Sequence, residues 1–218
     1  MKSWKEILVV LAVCALVVVG LKKQPQTVGP EDASPEYEPR LITKDHEPAR
    51  FSLILVQLDR SPQLAQWCAR EIASSTGAEV VQVLDLSSEG LLAASKDEGR
   101  NQYDADKIIE ALTRLPRGDD QKILALTEED LFLSSVPEWR YCYASHGQNV
   151  AVLSSVRMGG RFQEELFPSP RSQHRCRKML FRYVLEMCYD LKRNSRPESL
   201  LYERVLGPRD LDAMNYEI

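Results

Sequence analysis

Four dense apolar runs of strand length, separated by stretches of helical periodicity, constrain this chain more than any other feature. They are Phe51–Leu58, Ala78–Leu86, Lys122–Thr127 and Asn149–Val156. Strands that are apolar at nearly every position need cover on both faces, which predicts a sheet held between helices. Ser61-Pro62 opens a helix running through Ser75, with Leu64, Trp67, Cys68 and Ile72 at helical spacing, and Gly77 ends it. Gln102–Leu115 carries Ile108, Ile109, Leu112 and Leu115 in the same rhythm and stops at Pro116 and Gly118. Glu128–Phe132 reads as a loop, as does Arg161–Ser172 with Pro168 and Pro170. Cys176–Arg193 is the long helix, carrying Met179, Leu180, Val184, Leu185, Met187, Cys188 and Leu191. The tail from Leu200 to Met214 turns at Gly207-Pro208 into a short helix. These segments predict an α/β chain with one globular domain over residues 50–218, large enough to bury a core.

The N-terminus is of another kind. Residues Ile7 to Leu21 are uninterrupted apolar positions plus Gly20, flanked by Lys2, Lys5, Lys22 and Lys23. At about 1.5 Å per residue this run spans roughly 22 Å, short of the ~30 Å hydrocarbon core. Trp4 at the interface and snorkelling lysines extend its reach. A cleaved secretory signal competes with this reading, but no small-x-small site follows, and Val13 before Cys14 argues against a lipoprotein signal. The preferred expectation is an uncleaved signal anchor over residues 1–23, a single N-terminal transmembrane helix meeting the membrane through residues 4–23. The soluble domain is then extracytoplasmic. Residues 24–49 hold five prolines and six acidic residues, and are read as an extended tether in which His46 is solvated.

Composition narrows the function. A net charge of -4 argues against a nucleic-acid partner, which favours a basic face. Three histidines (His46, His146 and His174) leave little material for an imidazole metal site. The five cysteines include no C-x-x-C pair, so an all-cysteine zinc site is unsupported. Cys68, Cys142, Cys176 and Cys188 read as small buried hydrophobes, although oxidation of some pair is open in an extracytoplasmic compartment.

Several segments resemble the archaemetzincin family of zinc peptidases in order and spacing. They are Arg100-Asn-Gln-Tyr103 with Asp104-Ala-Asp-Lys-Ile-Ile, Leu126-Thr-Glu-Glu-Asp-Leu-Phe132, and Asn149-Val-Ala-Val-Leu-Ser-Ser-Val-Arg-Met158. The long helix and its exit through Leu200-Leu-Tyr202 and Asp210-Leu-Asp-Ala-Met214 complete the set. The resemblance implies a compact metzincin-type (zincin-like) domain with a mixed sheet and a long former active-site helix. Family chemistry rests on H-E-x-x-H-x-x-G-x-x-H, in which three imidazoles hold zinc and the glutamate takes a proton from bound water. Laid on this helix, the first histidine falls on Leu185, the glutamate on Glu186 and the second histidine on Tyr189. The glycine falls on Lys192, the third histidine on Ser195, and the methionine beneath the site on Leu201. A second site of four cysteines, also implied by the family, would begin at Arg196 and continue at Ser199 or Leu201, where no cysteine stands. Zinc, expected for the family, is therefore predicted absent, and no catalytic residue is assigned beyond the retained Glu186.

The leading expectation is a membrane-tethered, catalytically inactive archaemetzincin-like protein that binds a protein or peptide. Its site would be the former cleft, with Tyr103, Asp130, Trp139, His146 and Arg157 as candidate lining residues, or the basic stretch Arg161 to Lys178. Leu185 and Tyr189 are expected to be packing residues, and Glu186 to pair with Arg182 or Arg193. Two alternatives remain: a peptidase or other hydrolase with relocated ligands, such as Glu186 with His146 or His174, and a structural component of an envelope assembly. A Ser145-His146 nucleophile pair oriented by Asp130 and a reactive Cys142 are weaker readings. The basic cluster Arg171, His174, Arg175, Arg177 and Lys178 is expected to be a solvated helix start.

Overall fold

A computed structural model describes residues 49–59, 62–147, 149–159 and 169–218. The anchor expected at 1–23 and the tether at 24–49, Ala49 apart, lie outside the described residues, as does 161–168 of the expected basic stretch. Among the described residues no helix is long and apolar enough to cross a membrane.

Five strands form the main sheet in the order β2-β1-β5-β8-β7. These are β1 (Ser52–Gln57), β2 (Val80–Asp85), β5 (Gln121–Thr127), β7 (Ala144–His146) and β8 (Val150–Ser154). All neighbours are parallel except β7, which runs antiparallel to β8 along the edge. The mixed sheet expected from sequence is present. A small second sheet joins β3 (Lys96–Asp97), β4 (Gln102–Asp104) and β6 (Leu131–Phe132).

Alternate side chains of the central strands feed two cores. Leu53, Leu55, Leu124, Leu126, Ala151 and Leu153 point to one side, where α1 (Pro62–Ser75) and α5 (Pro170–Cys188) cover them. Ile54, Val56, Ile123, Ala125, Val150 and Val152 point to the other, toward α3 (Ala105–Thr113). Cover on both faces explains why the central positions of β1, β5 and β8 are apolar at every residue. The edge strand β2 departs from that expectation: Val81 and Val83 are 40% and 43% exposed.

Element boundaries moved where side chains bond the backbone. The helix expected over Gln102–Leu115 begins only at Ala105, because Asp104 caps it by accepting from the Asp106 amide, and Gln102–Asp104 are strand β4. Leu131–Phe132, expected in a loop, are β6, and two short helices, α2 (Leu91–Ser95) and α4 (Val156–Gly159), have too little periodicity to be read in advance. The long helix starts at Pro170 rather than Cys176, since Ser169 and Ser172 form a reciprocal capping box with proline at the first position. It ends at Cys188 rather than Arg193, and the Cys188 carbonyl accepts from the amides of Arg50 and Phe51 at 2.7 and 3.3 Å.

The basic cluster at the start of α5 is bound into the fold rather than solvated, except for exposed Arg171. Arg175 makes a two-point contact to Asp212 at 2.8 and 2.6 Å, and Arg177 another to Glu71 at 2.7 and 2.8 Å. Lys178, 9% exposed, donates to the Leu211 and Met214 carbonyls, which ties α6 (Pro208–Ala213) to α5. Lys178→Met should leave two buried carbonyls short of a donor. The expected loss is about 2 kcal/mol in urea unfolding, and an unchanged midpoint would show that water replaces the ammonium.

Candidate functional site

The site is built by the end of α5 and the chain that returns from it. Tyr189 caps the helix, and Asp190 follows in the left-handed region at φ 53. That conformation crowds a Cβ in all residues but glycine, and aspartate is among those that tolerate it best. The turn carries Arg193 back against the helix, where its Nε and Nη2 donate to Glu186 Oε1 and Oε2 at 2.7 and 2.9 Å. Arg182, one helical turn earlier, donates from Nε to the same Oε1 at 3.1 Å. His146, on edge strand β7, brings Nε2 to 3.4 Å from Glu186 Oε2. A single carboxylate is thus gripped by two guanidinium groups and an imidazole.

Burial by itself would raise the Glu186 pKa, but the hydrogen bonds from His146 and Arg193 and the charges of both arginines outweigh it and hold the carboxyl at about 2. The bond to Glu186 also raises His146 against the opposing effect of burial, while Nδ1 sits 2.7 Å from the Gly147 carbonyl. A group with a pKa near 2 is a poor proton acceptor at neutral pH.

Two clefts flank this cluster. The larger, about 370 Å³, lies beside Trp139, Tyr141, Tyr143, Arg182, Tyr183 and Arg193. The smaller, about 220 Å³, is lined by Phe51, Lys122, His146, Glu186, Met187 and Asp190.

The residues expected to occupy zinc-ligand positions do not form one site. Leu185 is fully buried in the core, Tyr189 donates its hydroxyl to the Thr76 carbonyl, and Ser195 is exposed. The packing role expected for Leu185 and Tyr189 is observed, as is the pairing of Glu186 with Arg182 and Arg193. The left-handed turn falls at Asp190, not at Lys192 where the sequence register put the family glycine. Asp190→Gly should therefore keep or slightly raise stability, whereas Asp190→Val should lower it by about 1–2 kcal/mol. Equal thermal unfolding of the two variants would contradict this.

Among the candidate lining residues, Asp130 and Arg157 pair at 2.6 and 2.5 Å, and Arg157 lies 4.0 Å over the Tyr141 ring. Tyr103 donates its amide to the Asp130 carbonyl at 2.8 Å. Trp139, half exposed, walls the larger cleft, and His146 borders the smaller one. The Ser-His-Asp reading fails on geometry: His146 turns Nε2 to Glu186, while the Asp130 carboxylate is taken by Arg157 and Gln102. His174 faces Tyr216 and lies about 18 Å along the helix axis from Glu186 at about 1.5 Å per residue. It cannot share a metal with Glu186. Cys68, Cys142, Cys176 and Cys188 are buried unpaired thiols, and burial pushes Cys142, Cys176 and Cys188 up to about 12, so Cys142 is no thiolate nucleophile at neutral pH.

Sequence reasoning noted Arg182 and Arg193 only as partners of Glu186, and missed Tyr183, Tyr141 and the edge strand that frame the cleft. The Arg182–Glu186 spacing of four on a helix was a readable signal. Arg193 reaches the site only through the Asp190 turn.

Sheet order, an antiparallel edge strand and a long helix with a left-handed exit define an archaemetzincin-like α/β fold. Among solved structures the chain is similar to archaemetzincin from Methanopyrus kandleri, with 20% identity, TM-score 0.59, and coverage of 77% of this chain and 88% of that one. It is also similar to a zinc-dependent peptidase from Methanocorpusculum labreanum, at 19% identity and TM-score 0.55 over 76% of this chain and 94% of that one. A third likeness is to archaemetzincin from Archaeoglobus fulgidus complexed with malonate, at 16% identity and TM-score 0.54 over 77% and 94%. No protein-family profile and no curated protein matches the chain. At these identities the likeness concerns the fold.

Proposed function

We propose that this chain is a non-hydrolytic protein of archaemetzincin-like fold, tethered to a membrane through residues 4–23, that binds a polypeptide in the cleft beside α5. The observation that carries the reading is the guanidinium grip on Glu186. With the motif's glycine set on Asp190, its two helical histidines fall on Tyr183 and Met187, its glutamate on Val184 and its third histidine on Arg193. These residues do not fit zinc. Burial pushes the Tyr183 hydroxyl up to about 12, the Met187 thioether is a weak donor, Val184 has no base, and Arg193 is a cation. Like charges about 4 Å apart repel by about 4 kcal/mol per unit pair near a protein surface, so Arg182 and Arg193 also oppose a divalent ion. In the same register Asn194 and Ser199 stand where the resemblance implies two cysteines, and Asn194 Nδ2 donates to Ser199 Oγ at 2.9 Å.

Zinc lowers the pKa of bound water from about 15.7 to about 7. Glu186, held at about 2, offers no substitute for that activation. The test is metal analysis of the full-length chain together with peptide cleavage in the presence and absence of a chelator. The expected result is substoichiometric zinc and no chelator-sensitive cleavage. Stoichiometric zinc with chelator-sensitive cleavage would instead support relocated ligands around Glu186 and His146, which the 3.4 Å approach of these two groups makes the strongest competing arrangement.

A further inference from the structure

The Arg182 side chain is 3% exposed, and its Nε reaches Glu186. Its Nη1 is buried without a hydrogen-bond partner among the described residues, although the side chain lines the larger cleft. A buried guanidinium nitrogen with no acceptor is an unfavourable arrangement that an incoming oxygen relieves. Arg193 lines the same cleft. The two arginines share the one carboxylate of Glu186. The other charged residues of the lining, Arg140 and Glu203, are one of each sign, with Glu203 also paired to Arg204 at 3.4 Å, so the concave surface carries a net positive charge.

We propose that Arg182 and Arg193 make the floor of this cleft a carboxylate-binding subsite, which takes a carboxylate borne by an apolar polypeptide segment. This rests on the peptide-binding reading given above. Three features select that ligand. A monoanion balances the cluster, whereas a phosphate dianion would leave a negative charge over in a half-enclosed site. The planar guanidinium edges match a carboxylate. Apart from Arg140 and Glu203 the walls are apolar or aromatic, with Trp139 50% exposed and Leu206 71% exposed, so a ligand of pure charge would leave them wet. The carboxylate can come from a chain terminus or from an acidic side chain, and the chemistry at the arginines is the same.

The full-length chain is titrated with a fluorescein-labelled octapeptide of leucine and alanine in three forms. One has a free C-terminal acid, one a C-terminal amide, and one a C-terminal amide with a central glutamate. Phenylbutyrate and phenylbutyramide are compared in parallel by thermal shift. One or both acidic peptides should bind about tenfold or more tighter than the neutral amide, and the acid that binds identifies the source of the carboxylate. Arg182→Gln should abolish the preference. Because Arg182 is buried, Arg193→Gln, with a side chain 38% exposed, serves as a second variant, and the acid-against-amide comparison on the unaltered protein needs neither. Equal binding of all three peptides overturns the subsite while leaving peptide binding intact. If no peptide binds, but phenylbutyrate raises the melting temperature above phenylbutyramide in an Arg182-dependent way, the subsite stands and the peptide reading fails. If no acid is preferred over its amide in either assay, the subsite is overturned.

Discussion

Glu186→Gln is expected to destabilise the domain by roughly 3–5 kcal/mol, the range found when one member of a buried ion pair is removed. Arg182 is 3% exposed and its Nη1 has no acceptor among the described residues, so without the carboxylate its charge stays buried and unpaired. Proton linkage gives a similar size. The Glu186 pKa falls from 4.5 to about 2 in the folded protein, and at about 1.36 kcal/mol per unit this amounts to about 3 kcal/mol. Because the folded value is the lower one, the contribution is fully present above about pH 4.5 and is lost as pH falls toward 2. His146 has the opposite sign: its folded pKa is raised, so its contribution is present below 6.5 and fades as pH rises through the folded value. Urea unfolding across pH should show an acid leg in the unaltered protein that Glu186→Gln lacks. A variant as stable as the original at pH 7 would mean that the arginines find water instead.

The second large effect is a gain. Tyr183→His, Met187→His and Arg193→His together should bind about one zinc ion per chain. The first two positions are four apart on one helix, and the Asp190 turn delivers the third. Glu186 remains to neutralise Arg182. The set Leu185→His, Tyr189→His and Ser195→His should bind none. Leu185 is fully buried, so its replacement loses core packing worth about 2–5 kcal/mol and strands a polar ring. Metal content after desalting and the zinc-dependent shift in melting temperature separate the two sets. Zinc retained by the second set alone would show that Asp190 is not the turn of the motif.

Much of the fold was legible because its causes are local. Uninterrupted apolar runs marked β1, β5 and β8, and helical spacing marked α1, α3 and α5. What escaped depends on hydrogen bonds and pairings with no period. Ser169 and Asp104 moved two helix starts, and the three-residue edge strand β7 is held by pairing with β8 rather than by any pattern of its own. The candidate site was half legible. The Arg182–Glu186 spacing could be read on a helix, and Arg193 was named as a partner, but the left-handed turn stands at Asp190, two residues before the position given to the family glycine. A left-handed aspartate leaves no mark in a pattern that looks for glycine.

The scarcity of histidine is a property of the sequence alone, and it limits zinc ligation whatever the fold. Which residues stand in the site instead was decided by tertiary structure. The turn at Asp190 swings Arg193 onto Glu186, and strand pairing brings His146 to the same carboxylate. Composition limits which ligands a chain possesses, whereas the convergence of distant side chains is set by the path of the backbone between them.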